Sequence, residues 1–187
     1  MLFRSPGPGL WRWGYTIHEA WELPAPAREV MQQLVAAEQE TVNLYIRRGT
    51  TRICVAQEES PLALRHVVRI GDRLPLASGA TAKALLSATD EAEIRTLLPG
   101  VDEEFLADVR RCAADGYAQS HGEREAGLSA VAVPITPSPG TVTASLSYSG
   151  PTARFPAERV APLAERLMAA AQTFATLGFD HPLRSTT

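Results

Sequence analysis

Three groups of residues in this sequence have the types and spacing to do chemistry. The first is Ser78-Gly79-Ala80-Thr81, which opens a run of strong helix formers. The first N–H groups of a helix have no partner within it, and with the positive end of the helix dipole they favour a carboxylate or a phosphate. Every helix has such an end, so ordinary capping explains the same residues. The second group is Thr143, Ser145, Ser147 and Ser149, hydroxyls at strict alternation. On a strand they all point to one face, where a core would normally hold Val or Ile. The row lines either a polar cavity or a solvated outer face, and alternation alone does not say which. The third is Gln119-Ser120-His121-Gly122-Glu123-Arg124-Glu125, read as a charged loop between a helix and a strand. His121 and Glu123 could act there as acid and base, but no nucleophile elbow, metal-spaced histidine pair or phosphate loop accompanies them. The four histidines are scattered, so neither a metal site nor a cofactor is expected.

The elements that must position these residues follow from periodicity. Ala27, Val30, Met31, Leu34 and Val35 recur at three- and four-residue spacing, with prolines confined to the start, which predicts a helix from Pro24 to about Glu40. Val42, Leu44 and Ile46 alternate with polar residues, Gly49 marks a turn, and Ile53 to Gln57 resumes as a β-branched run, which predicts a hairpin. Leu64 to Ile70 reads as a third strand. Ala80 to Leu86 reads as a helix. Asp90 with Glu93 looks like a capping box for a short helix to Leu98. Asp102 starts another helix, with Phe105, Leu106, Val109, Cys112 and Ala113 on one face and Gly116 as its left-handed cap. Leu128 to Ile135 and Thr141 to Ser149 are two further strands around a turn at Pro137 to Gly140. The last helix, about Pro156 to Leu177, carries Val160, Leu163, Leu167, Met168, Ala171 and Phe174 on one stripe, with Pro162 in its first turn or at a kink. The order predicts an α+β fold, a largely antiparallel sheet flanked by helices.

Composition sets the outer limits. The chain has 187 residues, 45% hydrophobic and 21% charged, a size at which one domain buries enough surface to need neither disulfides nor a structural metal. Cys54 and Cys112 lack CxxC spacing and read as buried small hydrophobes of a reducing compartment. No apolar run reaches spanning length and the amino terminus lacks a signal-peptide core, so a soluble cytoplasmic protein without membrane association is expected. A net charge of -3 with scattered arginines argues against autonomous DNA binding. Residues 1–23, rich in Gly, Pro and Trp, read as a separate segment. Trp11, Trp13, Tyr15 and Trp21 in it are expected to dock on the domain or on a second copy.

Four ordered stretches carry a family resemblance. Arg73-Leu74-Pro75-Leu76-Ala77-Ser78-Gly79-Ala80-Thr81-Ala82-Lys83-Ala84-Leu85-Leu86 resembles the RLPLHATALGKALLA signature of IclR-type transcription regulators. Gly116-Tyr117-Ala118 through Glu123 and Gly127-Leu128 is similar to their GYA...E...G motif. Ala130-Val131-Ala132-Val133-Pro134 resembles their AVAVP strand, and Leu146-Ser147-Tyr148-Ser149-Gly150-Pro151 their LSVSGP strand. The resemblance covers Pro24 to Gly178 and implies the effector-binding domain, placed here at residues 24–182, with a GAF-like fold. It also implies a small organic acid or aromatic catabolite as effector, and assembly into homodimers or tetramers. The family's pocket maps onto Ala80, Thr81, Ser120, Ala130, Ser147 and Ser149. The signature's histidine is Ala77 here. These regulators reach DNA through a winged helix-turn-helix ahead of the sensing domain. Only Gly7 to Gly14 resembles its end entering the linker, so residues 1–23 read as a linker remnant. That fits a piece of a longer chain, a start assigned too late, or a stand-alone sensor. A structural dimerisation module and, less favoured, an enzyme using His121 and Glu123 are the competing readings.

Overall fold

The computed structural model describes residues 7–9, 12, 23–181 and 184. Trp11, Trp13, Tyr15 and Trp21, expected to dock, lie outside the described residues. Helix α1 (Ala25–Glu38) starts after Pro24 and ends at Gln39 in the left-handed region. It leads into the hairpin β1 (Thr41–Arg48) and β2 (Thr51–Glu58), whose register pairs Arg48 with Thr51 across a tight turn at Gly49. After a long connection come β3 (Arg73–Pro75), α2 (Ala80–Leu86), α3 (Glu91–Leu97) and α4 (Glu103–Asp115). Next are β4 (Ala118–His121), β5 (Leu128–Ile135), β6 (Ala144–Pro151), a 3-10 turn at Thr152–Arg154 and α5 (Ala157–Thr176). The strands form one antiparallel sheet in the order β3-β2-β1-β6-β5-β4. The fold is the expected α+β arrangement.

Capping sets the helix limits. The Asp90 carboxylate accepts from Ala92 N at 2.8 Å, and that of Asp102 from Phe105 N at 2.7 Å. Glu93 reaches Arg47 rather than closing a box with Asp90. Gly116 ends α4 with a positive φ. Pro162 lies inside α5, exposed, and the helix runs on through it.

Four expectations need correction. Leu64 to Ile70 is not a strand: Leu64, Val67 and Ile70 are exposed and only Val68 is buried. The outer edge of β2 is taken instead by the turn at Gly71-Asp72, through Gly71 N to Cys54 O and Cys54 N to Asp72 O, and then by β3. Tertiary pairing overrides strand propensity here. Gln119 to His121, read as loop, belongs to β4, paired with β5 so that Ser120 stands opposite Ala130. The strand expected over Thr141 to Ser149 is displaced to Ala144–Pro151. Ala113, placed on the buried face of α4, is exposed.

The core divides at the sheet. On one side α1 and α5 pack on Val42, Leu44 and Ile46 of β1, Ile53 and Val55 of β2, Val131, Val133 and Ile135 of β5, and Leu146 and Tyr148 of β6. Tyr148 donates its hydroxyl to Leu34 O, joining β6 to α1. The carboxylate of Glu40, 1% exposed, receives a fork from Arg154 at 2.6 and 2.7 Å, which ties the start of β1 to the turn after β6. A Cβ on Gly150 would collide with that carboxylate, so a larger residue there would displace the ion pair. On the other side α2 lies on Ala132, with Ala80, Ala84, Ala118 and Cys112 forming a small-residue seam. Both thiols are buried and pushed up to about 12 by that burial, consistent with their reading as small hydrophobes.

Candidate functional site

The alternation of β6 places Leu146 and Tyr148 against the helices of the apolar core, and therefore Ser145, Ser147 and Ser149 on the opposite face. All three, with Thr143, are buried, which removes the solvated-face reading of the hydroxyl row. Ser147 and Ser149 line a cavity of about 40 Å³ between the sheet and the start of α2. Ala80, Thr81, Ser120 and Ala130 line it as well, so the structure brings together all six positions mapped from sequence. Ser145 and Thr143 do not line it. Ser145 Oγ is buried without a partner, and Thr143 Oγ1 donates to Ile135 O at 3.4 Å.

The cavity's charged walls come from residues that the sequence reading passed over. Arg52, read as part of a turn, projects from β2 and is 3% exposed. Its Nη1 donates to Pro75 O and to Ser78 O, the latter at 2.6 Å, its plane lies 5.9 Å from the Tyr45 ring, and its Nε has no partner. Burial pulls this guanidinium down to about 10. Arg124 reaches in from the loop after β4 and donates to His66 Nε2 at 2.6 Å. A guanidinium only donates, so a neutral His66 carries its proton on Nδ1 and donates to Ser149 Oγ at 2.9 Å. Desolvation first, and the Arg124 charge second, hold His66 down at about 4, so it is neutral near pH 7. The Asn43 amide stands 2.8 Å from Ser149 Oγ and 3.0 Å from the Gln57 amide. Among the described residues neither Arg52 nor Arg124 has a carboxylate partner.

The helix start at Ser78 to Thr81 differs from expectation. Glu123 Oε2 already accepts from Gly79 N at 2.8 Å, so the chain supplies its own anion at this helix end. The other oxygen of Glu123 accepts from Lys83 Nζ, which also contacts Asp108 at 2.6 Å and donates to Gln119 O at 3.2 Å. Lys83, read only as a helix former, is therefore the buried post to which the loop carrying Arg124 is tied. Gly79 has a φ of 87° and a Cβ there would approach Arg52 Nη2 to 3.1 Å, so this position holds glycine for conformation and for space. His121 and Glu123, the imagined acid and base, are engaged separately: His121 Nδ1 is 2.9 Å from Ser129 Oγ while Glu123 serves Lys83 and Gly79. No group of three or more His, Cys, Asp or Glu among the described residues could hold a metal.

The signals that could have revealed these residues are uneven. Asn43 interrupts an apolar strand at an odd position, and a two-residue turn would have put Arg52 inside the sheet. Nothing local marks His66, since it lies on the segment misread as a strand.

Comparison with known proteins fixes the family. Residues 17–176 match the profile of the family described as bacterial transcriptional regulator IclR C-terminal. The HTH-type transcriptional regulator KdgR of Escherichia coli is 32% identical over 166 residues, covering 81% of this chain and 63% of that protein. The HTH-type transcriptional repressor AllR of Salmonella typhi is 30% identical over 166 residues, covering 82% and 61%. The chain thus spans less than two thirds of the length of these relatives. Among solved structures, an IclR-family transcriptional regulator from Rhodococcus sp. superimposes with a TM-score of 0.78 at 36% identity, covering 97% of this chain and 73% of that one. The C-terminal domain of Escherichia coli KdgR gives 0.71 at 29% identity, covering 82% and 96%. On these matches the chain belongs to the IclR C-terminal family of bacterial transcriptional regulators, with the family domain over most of its length.

Proposed function

We propose that this chain is the small-molecule sensing and oligomerising part of a transcription regulator, and that a small organic or aromatic acid is the effector held in the cavity beside the sheet. One observation carries the reading. A buried cavity lined by Ala80, Thr81, Ser120, Ala130, Ser147 and Ser149 also contains a nearly inaccessible guanidinium, Arg52, whose Nε is unpartnered. A buried donor without an acceptor costs roughly 1–3 kcal/mol, and a charged one more, so an acceptor supplied by a ligand would stabilise this site. A carboxylate meets a guanidinium with matched geometry and charge. Coupling to transcription follows if the ligand prefers one subunit or domain arrangement over another.

In this reading residues 24–182 form the sensing domain and residues 1–23 the linker from a DNA-reading winged helix-turn-helix. Homodimers or tetramers are the assembled form, and the setting is cytoplasmic. No helix among the described residues is long and apolar enough to cross a membrane. KdgR and AllR are named as regulators rather than enzymes, and the separate engagement of His121 and Glu123 supports the same assignment here.

A thermal-shift screen against small carboxylates and aromatic acids tests the proposal. A ligand present at about one hundred times its Kd adds about 2.7 kcal/mol of stability, which a midpoint shift reports. Saturable shifts by acids are expected. If neutral analogues shift the midpoint and acids do not, or if nothing shifts it, the chain is a structural dimerisation module or a sensor of another chemistry.

A further inference from the structure

Around the cavity the charges do not balance. Lys83, Asp108, Glu123 and Arg111 pair among themselves, two cations against two carboxylates. His66 is neutral. That leaves Arg52 and Arg124, two guanidiniums with no carboxylate partner among the described residues, on the wall of one cavity. They come from different halves of the sheet. Arg52 projects from β2 and Arg124 from the loop joining β4 to β5, and in the strand order β1 and β6 stand between them. With neighbouring strands roughly 4.8 Å apart, the roots of the two side chains stand on different sides of the cavity whose wall both reach.

The two are held differently. Arg52 is fixed by the carbonyls of Pro75 and Ser78 and is almost wholly buried. Arg124 is half-buried and donates to a neutral imidazole, while its neighbour Glu123 pins the backbone of the loop to Lys83 and Gly79. The side chain can therefore swing while its root stays in place. It has to: about 40 Å³ accommodates only a few waters, since each needs roughly 10–15 Å³. Glu123 and Ser120 line both the cavity and an open surface groove of about 480 Å³, which places the mouth beside Arg124.

We infer that the effector carries two separated acid groups, a dicarboxylate, one held by the fixed Arg52 and the other by Arg124, which leaves His66 to receive it and thereby determines specificity for a diacid over a monoacid. This rests on the acid-sensing reading of the same cavity. The dianion would neutralise the two guanidiniums that make no ion-pair contact among the described residues, and its second carboxylate would occupy space that Arg124 fills in the closed cavity.

The test is calorimetric titration of the whole chain with malonate, succinate, glutarate and adipate, each against the monocarboxylate of equal carbon number, and with inorganic phosphate. At least one diacid is expected to bind tenfold or more tightly than its monoacid and than phosphate. Arg124→Gln, checked for an unchanged thermal midpoint, should weaken diacids about tenfold more than monoacids and so abolish that preference, and Arg124→Lys should retain part of it. Equal or tighter binding of monoacids by the unmodified protein overturns this inference alone and leaves the acid sensor standing. So does a diacid preference that survives Arg124→Gln, or phosphate matching the best diacid, which would indicate one compact anion site. If neither acid class binds, the sensor reading falls with it.

Discussion

The two faces of the central sheet are built from the same strands and obey opposite rules. Toward α1 and α5, the even positions of β6 and the odd positions of β5 supply Leu146, Tyr148, Val131, Val133 and Ile135, a dry interdigitated layer. Toward α2, the alternate positions of those strands supply Ser145, Ser147, Ser149, Ala130 and Ala132, and β1 and β2 add Asn43 and Arg52. Both faces are buried, so exposure does not explain the contrast. The first face lowers the free energy of the chain by removing apolar surface from water. The second leaves the Ser145 hydroxyl and Arg52 Nε without partners, which no folding requirement demands. One side of the sheet thus holds the fold together, while the other carries polar groups that the proposed function assigns to an effector.

Single substitutions can break or sharpen that contrast. Leu146→Ala, at a site with no exposure, should cost about 2–5 kcal/mol of unfolding free energy in denaturant titration, through lost contacts and the cavity left behind. Acid affinity of the folded protein should stay unchanged. On the other face Ser147→Val should reverse the pattern, weakening acid binding by roughly 1–3 kcal/mol if its hydroxyl bonds the carboxylate. Among the described residues its hydroxyl makes a single long hydrogen bond, 3.5 Å to Asn43 O. An unchanged affinity in calorimetry would remove Ser147 from the site. Ser145→Ala should raise stability by about 1 kcal/mol, because its buried hydroxyl has no partner and lies outside the cavity lining. A loss of stability in the same titration would show that this hydroxyl is satisfied. A further effect concerns pH. The folded chain holds His66 at about 4 against an ordinary 6.5, so below pH 6.5 the unfolded chain takes up this proton first. This histidine should therefore lower stability progressively as pH falls from 6.5 toward 4 and have no effect above. A flatter stability profile for His66→Gln over that window is the expected observation, and an unaltered profile would contradict it.

Much of this was legible in sequence where local rules and tertiary structure agree. The β1–β2 hairpin, α4 with its Asp102 and Gly116 caps, and the buried stripe of α5 follow from periodicity and end signals. So does the hydroxyl row, although whether it faced a cavity or solvent needed the position of α2. The failures have physical causes. Leu64 to Ile70 has strand composition but loses the edge of β2 to Gly71–Pro75, a competition that propensity does not see. Strand β4 is short and lacks β-branched residues, so Ala118 to His121 gave no signal beyond a weak inside-outside alternation. Arg124 and His66, 58 residues apart, meet only in the folded chain, and Lys83 looks like any helix former until its two carboxylates are placed beside it.

The central claim, that the polar face is an acid site, is tested most directly by a crystal structure of the chain with an acid that raises its thermal midpoint. The expected result is a carboxylate in the cavity within hydrogen-bonding distance of Arg52 Nε, flanked by Ser147 and Ser149, with Arg124 displaced from His66. An acid bound instead in the open groove beside Arg47 and Arg48, with Arg52 Nε still unpartnered, would contradict it.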